Sequence, residues 1–91
     1  MSAGAAAPFR FAPGVKFRFD ETRQAWIVLA PERLFMPDEH ATEILKLIDG
    51  QRSDDAIIDD LAARFDAPRD TIAADVREML QDLVDRGVLR R

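Results

Sequence analysis

Ala25-Trp26-Ile27-Val28-Leu29-Ala30, then Pro31-Glu32, then Arg33-Leu34-Phe35-Met36, then Pro37-Asp38, is the stretch whose reading decides the fold. Its first six residues are apolar at nearly every position, as in a central strand covered on both sides. Pro31 ends that strand, because proline has no N–H for a ladder and is tolerated mainly at strand ends and edges. Leu34 to Met36 then pair back as a very short third strand, which Pro37 terminates. A strand with one side unpaired exposes a row of N–H and C=O groups. Such a row is either an aggregation hazard or a docking rail for an extended peptide.

Upstream of this stretch, Val15, Phe17 and Phe19 alternate with Lys16, Arg18 and Asp20, the period of two expected of a strand with one buried face. Asp20 to Gln24 is polar and lacks Gly and Pro, which predicts a loop of several residues instead of a tight two-residue turn. Downstream, Asp38 is a good N-cap, and Ala41, Ile44, Leu45 and Ile48 form one apolar helical face that Gly50 is placed to close as its C′ residue. Ser53 caps a second helix, with Asp54 and Asp55 at its positive end and Ile58, Leu61, Ala62 and Phe65 on its apolar face. A third helix opens at Pro68, with Ala67 a weak N-cap, and carries Ile72, Val76, Met79, Leu80, Leu83 and Val84 before Gly87. Val88 and Leu89 are expected to tuck under the sheet. Three short antiparallel strands followed by three helices give an α+β architecture with segregated elements.

A chain of 91 residues makes one domain. At that size little more than about 60% of the unfolded surface is buried, which leaves little room for a deep substrate cavity. Residues 1–9 read as a disordered lead-in and 10–91 as the domain itself. The opening has neither the basic start nor the long apolar run of a signal peptide or membrane span. The absence of cysteine removes disulfides, thiolate metal sites and Cys nucleophiles together, and it fits a reducing compartment, with cytoplasm as the default.

The net charge of −4 is unevenly spread. Residues 1–37 balance at +2, residues 38–67 at −6, residues 68–86 at −2, and Arg90 with Arg91 return +2. The helical part is therefore acidic, which disfavours a polyanionic partner there.

Catalytic material is scarce. The chain has one histidine, no cysteine and no tyrosine. His40 falls in the first turn of the first helix without a second histidine at metal spacing, so it reads as an exposed, uncommitted imidazole. The carboxylate pairs Asp54-Asp55 and Asp59-Asp60 point in different directions on a helix and read as its solvated face. Phe17, Phe19 and Trp26 suggest a base-stacking platform, but strands that need a buried face make core packing the better reading. Met36 and Met79 differ: with the third strand beside the third helix, a flexible thioether on each wall gives a groove that repacks around a ligand's side chains, with core filling the equal alternative for Met79. No enzyme, cofactor or metal is expected.

Three segments in order carry a family resemblance: Arg23-Gln24-Ala25-Trp26-Ile27-Val28-Leu29, then Ala41 through Gly50, then the ending Leu80 through Leu89. Over about residues 10 to 90 the chain resembles the PqqD family of pyrroloquinoline quinone (PQQ) biosynthesis. The resemblance implies a winged-helix-like module, a leader-peptide recognition element of pathways that modify ribosomally made peptides. It implies a non-catalytic peptide chaperone that captures the PQQ precursor peptide PqqA and presents it to the radical S-adenosylmethionine (SAM) enzyme PqqE. It also implies that the peptide adds as a further strand beside the third strand, against the third helix. Carried over, the rail is Arg33, Leu34, Phe35 and Met36, and the groove wall comes from Asp75, Val76, Met79, Leu80 and Leu83. Where the family pattern has an apolar residue followed by Asn, this chain has Pro37-Asp38, which is expected to end the rail one residue early. The partners expected are the peptide and the enzyme, with no membrane and no nucleic acid, acting on a monomer.

The rival from another class is a winged-helix DNA-binding module, with the third helix in a major groove. Asp70, Asp75, Glu78, Asp82 and Asp85 on that helix would repel phosphates.

Overall fold

A computed structural model describes residues 8–91, so most of the expected lead-in lies outside the described residues. The elements are β1 (Arg10–Phe11), β2 (Lys16–Asp20), β3 (Ala25–Ala30), β4 (Arg33–Phe35), α1 (Glu39–Leu45), α2 (Asp54–Arg64), α3 (Arg69–Asp85) and β5 (Leu89–Arg90). The expected α+β order holds. β2, β3 and β4 form a three-stranded antiparallel sheet in that order, and the three helices follow it in a winged-helix-like arrangement.

Four residues join β2 to β3, and the Asp20 carboxylate organises them. It accepts from the N–H groups of Thr22 and Arg23 and from the Arg23 guanidinium at 2.6 Å. Gln24 closes the loop at φ 53°, a left-handed position taken without a glycine.

Val28 is fully buried and joins the main core with Ile44, Leu45, Ile57, Ile58, Leu61, Val76 and Leu80. Ile27, on the other face of β3, is also fully buried, as the continuous apolar run predicts. Aromatic rings extend the core along β2: Phe17 stacks on Trp26 at 4.7 Å and Phe11 on Phe17 at 6.0 Å. Phe19 departs from the core reading. It is 41% exposed and meets Trp26 edge-on at 5.8 Å, at the loop end of the sheet.

Four further expectations need correction. Phe9, assigned to the lead-in, is only 1% exposed: its N–H donates to the Arg52 carbonyl and its ring packs in the core. Helix α1 ends at Leu45 with Lys46 as C-cap, so Gly50 is not its C′ residue. The chain there tightens into bonds from Leu47 N to Ile44 O and from Ile48 N to Leu45 O. The Asp49 carboxylate then accepts from Gln51 N and Arg52 N, offering the backbone a local alternative to the helix. Phe65 is 47% exposed because it is the extended C-cap of α2 and lies beyond its apolar face; Ile57, Ile58 and Leu61 are the buried residues. Pro68 is itself the N-cap of α3, its carbonyl accepting from Thr71 N and Ile72 N.

Val88 and Leu89 are buried as expected, but β5 does more than tuck. It pairs antiparallel with β1, Phe11 opposite Leu89 and Arg10 opposite Arg90, as a second small sheet. Two residues without alternating pattern give no strand signal of their own, so only the meeting of the two chain ends creates this pairing.

Candidate functional site

Among the described residues β4 hydrogen-bonds to β3 and to no other strand, so there its outer margin is unpaired. The register puts Val28 opposite Phe35, Leu29 opposite Leu34 and Ala30 opposite Arg33. With only Pro31 and Glu32 between the strands, Ala30 and Arg33 form the hydrogen-bonded pair that flanks a two-residue hairpin loop. Antiparallel ladders alternate, so Phe35 bonds inward with Val28 while the N–H and C=O of Leu34 point away from the sheet. The ladder ends at Phe35, so Met36 and Pro37 lie beyond the paired residues. The side chains of Leu34 and Met36 are also open, at 41% and 60% exposed.

Beside this margin lies a cavity of about 290 Å³ between Phe35–Asp38, Ala41 of α1 and the C-terminal half of α3. Met79 and Leu83 supply its apolar wall, and Asp82 and Arg86 its polar rim. Asp38 holds the near end of α1 in place by accepting from Ala41 N at 2.8 Å. Arg33 ties the strand to the end of α3, donating to the Arg86 carbonyl at 2.7 Å.

The residues predicted for the site separate in space. Arg33, Leu34 and Phe35 form β4, and Met36 continues it as irregular backbone. Met79 and Leu83 face the strand margin across the cavity. Asp75 and Val76 lie farther along α3, on a second and larger cavity of about 720 Å³ enclosed by α1, the end of α2 and α3. Met79 lines both cavities. Leu80 is 1% exposed, packs in the core and lines neither. The readings missed Asp82 and Arg86. Counting three and seven residues on from Met79 along one helix face would have found them.

Ion pairs fix which charges the site presents. Arg69 is held by Asp59 at 2.7 Å, which pushes its guanidinium pKa up, and Arg77 reaches Asp54 and Asp55 of α2. Glu43 of α1 is held below its ordinary carboxyl range by the Lys46 ammonium first and Arg64 second. The two arginines within α3 are thus drawn onto α2, while the carboxylates of Asp75, Glu78 and Asp82 line the cavities. Such a helix offers no basic face to a phosphate backbone. His40 is exposed, and among the described residues no group of three or more His, Cys, Asp or Glu is placed to hold a metal ion. Among the described residues no helix is long and apolar enough to cross a membrane.

Comparisons with known proteins converge on one family. The family model for "Coenzyme PQQ synthesis protein D (PqqD)" matches residues 25–89. A PqqA binding protein of Rhodopseudomonas palustris strain BisB5 is 60% identical over 74 residues, 81% of this chain and 72% of that protein. Among solved structures, the chain is similar to the PqqD truncation of Methylobacterium extorquens PqqCD, a stand-alone ribosomally synthesized and post-translationally modified peptide (RiPP) recognition element. That match has 38% identity and a TM-score of 0.74 and covers all of both chains. A lasso peptide synthetase B1 complexed with its leader peptide shares the fold at 15% identity, with a TM-score of 0.78 over 93% of this chain and 100% of the other.

Proposed function

The chain belongs to the PqqD family, and from that premise we propose that it is a non-catalytic peptide chaperone of PQQ biosynthesis. It binds the precursor peptide PqqA by strand addition along the outer margin of β4 and presents it to the radical SAM enzyme PqqE, in the cytoplasm. The observation that carries this reading is the outward-turned peptide group of Leu34 beside a cavity walled by Met79 and Leu83. Main-chain bonds give such a contact affinity without demanding sequence, and the pockets for alternate side chains supply specificity. The relatives support it by what they bind: one is a PqqA binding protein, and the lasso synthetase relative holds a leader peptide.

Magnitudes fit a carrier. Four or five main-chain hydrogen bonds at about 0.5–1.5 kcal/mol net and two or three buried apolar side chains at about 1.5–3 each give roughly 5–16 kcal/mol gross. Association and ordering cost at least about 4 of that, which leaves room for a Kd near micromolar or somewhat tighter. Cargo held at that strength can still be handed on.

The test is an amide-shift titration of the labelled chain with PqqA. Perturbations are expected in β4, Met36 and the C-terminal half of α3. Shifts confined to α2 would overturn the reading. Size-exclusion chromatography of the chain with PqqA and PqqE tests the handover, with co-elution of all three expected.

A further inference from the structure

The larger cavity is unaccounted for by strand addition alone. Its floor is apolar, built by Ile44, Leu61, Ile72 and Val76, and the half-exposed ring of Phe65 stands at its end. Its rim carries Glu39, Glu43, Asp75, Glu78 and Asp82, and no Lys or Arg lines it. Glu43 is neutralised by Lys46 and Arg64, and Asp82 by Arg86. Glu39, Asp75 and Glu78 have no ion-pair partner among the described residues. The nearby arginines of α3 are occupied on its other flank by α2.

This cavity runs on from the one beside β4, the two sharing Met79 and Asp82. Along α3, the stretch from Asp82 back to Ile72 spans roughly 15 Å at about 1.5 Å per residue. An extended chain covers that length in about four or five residues at about 3.3 Å each. A peptide leaving the Met36 end of the strand margin is therefore led over α1's first turn into an apolar trough with an uncompensated acidic rim.

We propose that the peptide held on β4 continues into this trough with a cationic amphipathic segment: a bulky apolar side chain on the Ile72–Val76 floor, flanked by Lys or Arg facing Glu39, Asp75 and Glu78. The proposal rests on the strand-addition reading and names a second half of the same binding path. Charge complementarity selects the occupant, since an acidic or neutral segment gains nothing from this rim while a basic one gains both attraction and faster encounter. The apolar floor excludes a merely polybasic tail, which would leave the floor and the Phe65 ring wet.

The experiment measures PqqA affinity by titration calorimetry at about 20 and about 300 mM salt. The chains compared are the wild type, Asp75→Asn/Glu78→Gln, Phe65→Ala, Leu34→Pro and the charge-matched control Glu21→Gln/Asp70→Asn. Each altered trough side chain is exposed, so folding is not at stake. Asp75→Asn/Glu78→Gln is expected to weaken binding about fivefold at low salt and to flatten the salt dependence, with the control within about twofold. Changing to Gln whichever Lys or Arg of PqqA adjoin the strand segment is expected to cost the same factor on the wild type and nothing more on the double variant, and a peptide that carries neither there overturns the proposal. Loss on Leu34→Pro with no effect of Asp75→Asn/Glu78→Gln leaves strand addition standing and overturns this proposal. Loss on the double variant with Leu34→Pro silent overturns the continuous path. Absence of any PqqA binding by the wild type overturns both readings.

Discussion

Arg33 of β4 donates from Nη2 to the carbonyl oxygen of Arg86, the C-cap of α3, at 2.7 Å across fifty-three residues of sequence. The same guanidinium lies 5.9 Å from the Phe35 ring. A three-residue strand paired on one side only has few bonds to hold it, and this contact gives it a second anchor. It also occupies one of the carbonyls that every helix end leaves unsatisfied. Strand margin and helix wall are thereby set at a fixed spacing, which defines the width of the smaller cavity.

Arg33→Ala is therefore expected to loosen the rail more than the fold. A net contribution of up to about 1.5 kcal/mol from the hydrogen bond implies a loss of about three- to tenfold in PqqA affinity. Thermal unfolding should move little, because the side chain is exposed. Calorimetric titration beside a melting curve checks both; unchanged affinity would show the anchor to be irrelevant to binding.

Leu34→Pro and Phe35→Pro should differ in kind. Proline at Leu34 removes an outward donor and is expected to weaken PqqA binding at least tenfold, about 1.4 kcal/mol, with the sheet intact. Proline at Phe35 breaks the inward bond to Val28 and should lower stability first. Circular dichroism melts separate the two, and equal loss of stability in both would refute the assigned alternation.

Phe9→Ala is expected to cost about 3–5 kcal/mol, the usual penalty for emptying a buried aromatic site. The ring is 1% exposed and the Arg91 guanidinium sits 4.8 Å above it, so the substitution also frees the C-terminal end. Denaturant unfolding measures it. A loss below about 1 kcal/mol would mean that Phe9 is not part of the core.

Acid should weaken the α1–α2 contact through Glu43. Its folded carboxyl titrates below the ordinary value of 4.5, chiefly because of Lys46 and then Arg64. A depressed folded pKa gives stability that is present above about 4.5 and lost as pH falls through the folded value, since the unfolded chain then binds more protons. The gap in denaturation midpoint between wild type and Glu43→Gln is expected at about pH 7 and should close as pH falls through the folded value. A gap that persists in acid would assign the effect to packing.

The three main strands and the cap residues were readable because each rests on a local cause. Pro31 and Pro37 remove ladder donors, and Asp38 and Ser53 accept from free N–H groups at 2.8 and 3.3 Å. The end of α1 was misplaced because Gly50, a good C′ residue by type, competes with the local Asp49 turn, whose carboxylate takes the N–H groups of Gln51 and Arg52. Of the larger cavity only the α3 wall, Asp75, Val76 and Met79, was named from the sequence, and that by family resemblance. Glu39 and Glu78 are ordinary surface carboxylates in sequence, and only the packing of α1 against α3 sets them around one trough.

By itself the sequence determined what nearest neighbours along the chain can enforce: strand and helix types, their order, the capping of α1 and α2, and the acidic sign of the helical part. These follow from backbone sterics, periodic burial and charge, which act over a few residues. Tertiary structure alone decided that β1 and β5 close the ends, that α3's arginines turn to α2, and that Arg33 ties the rail to Arg86. Each of these joins residues far apart in the chain, and a contact of that kind depends on how separately formed elements pack, which no local pattern encodes.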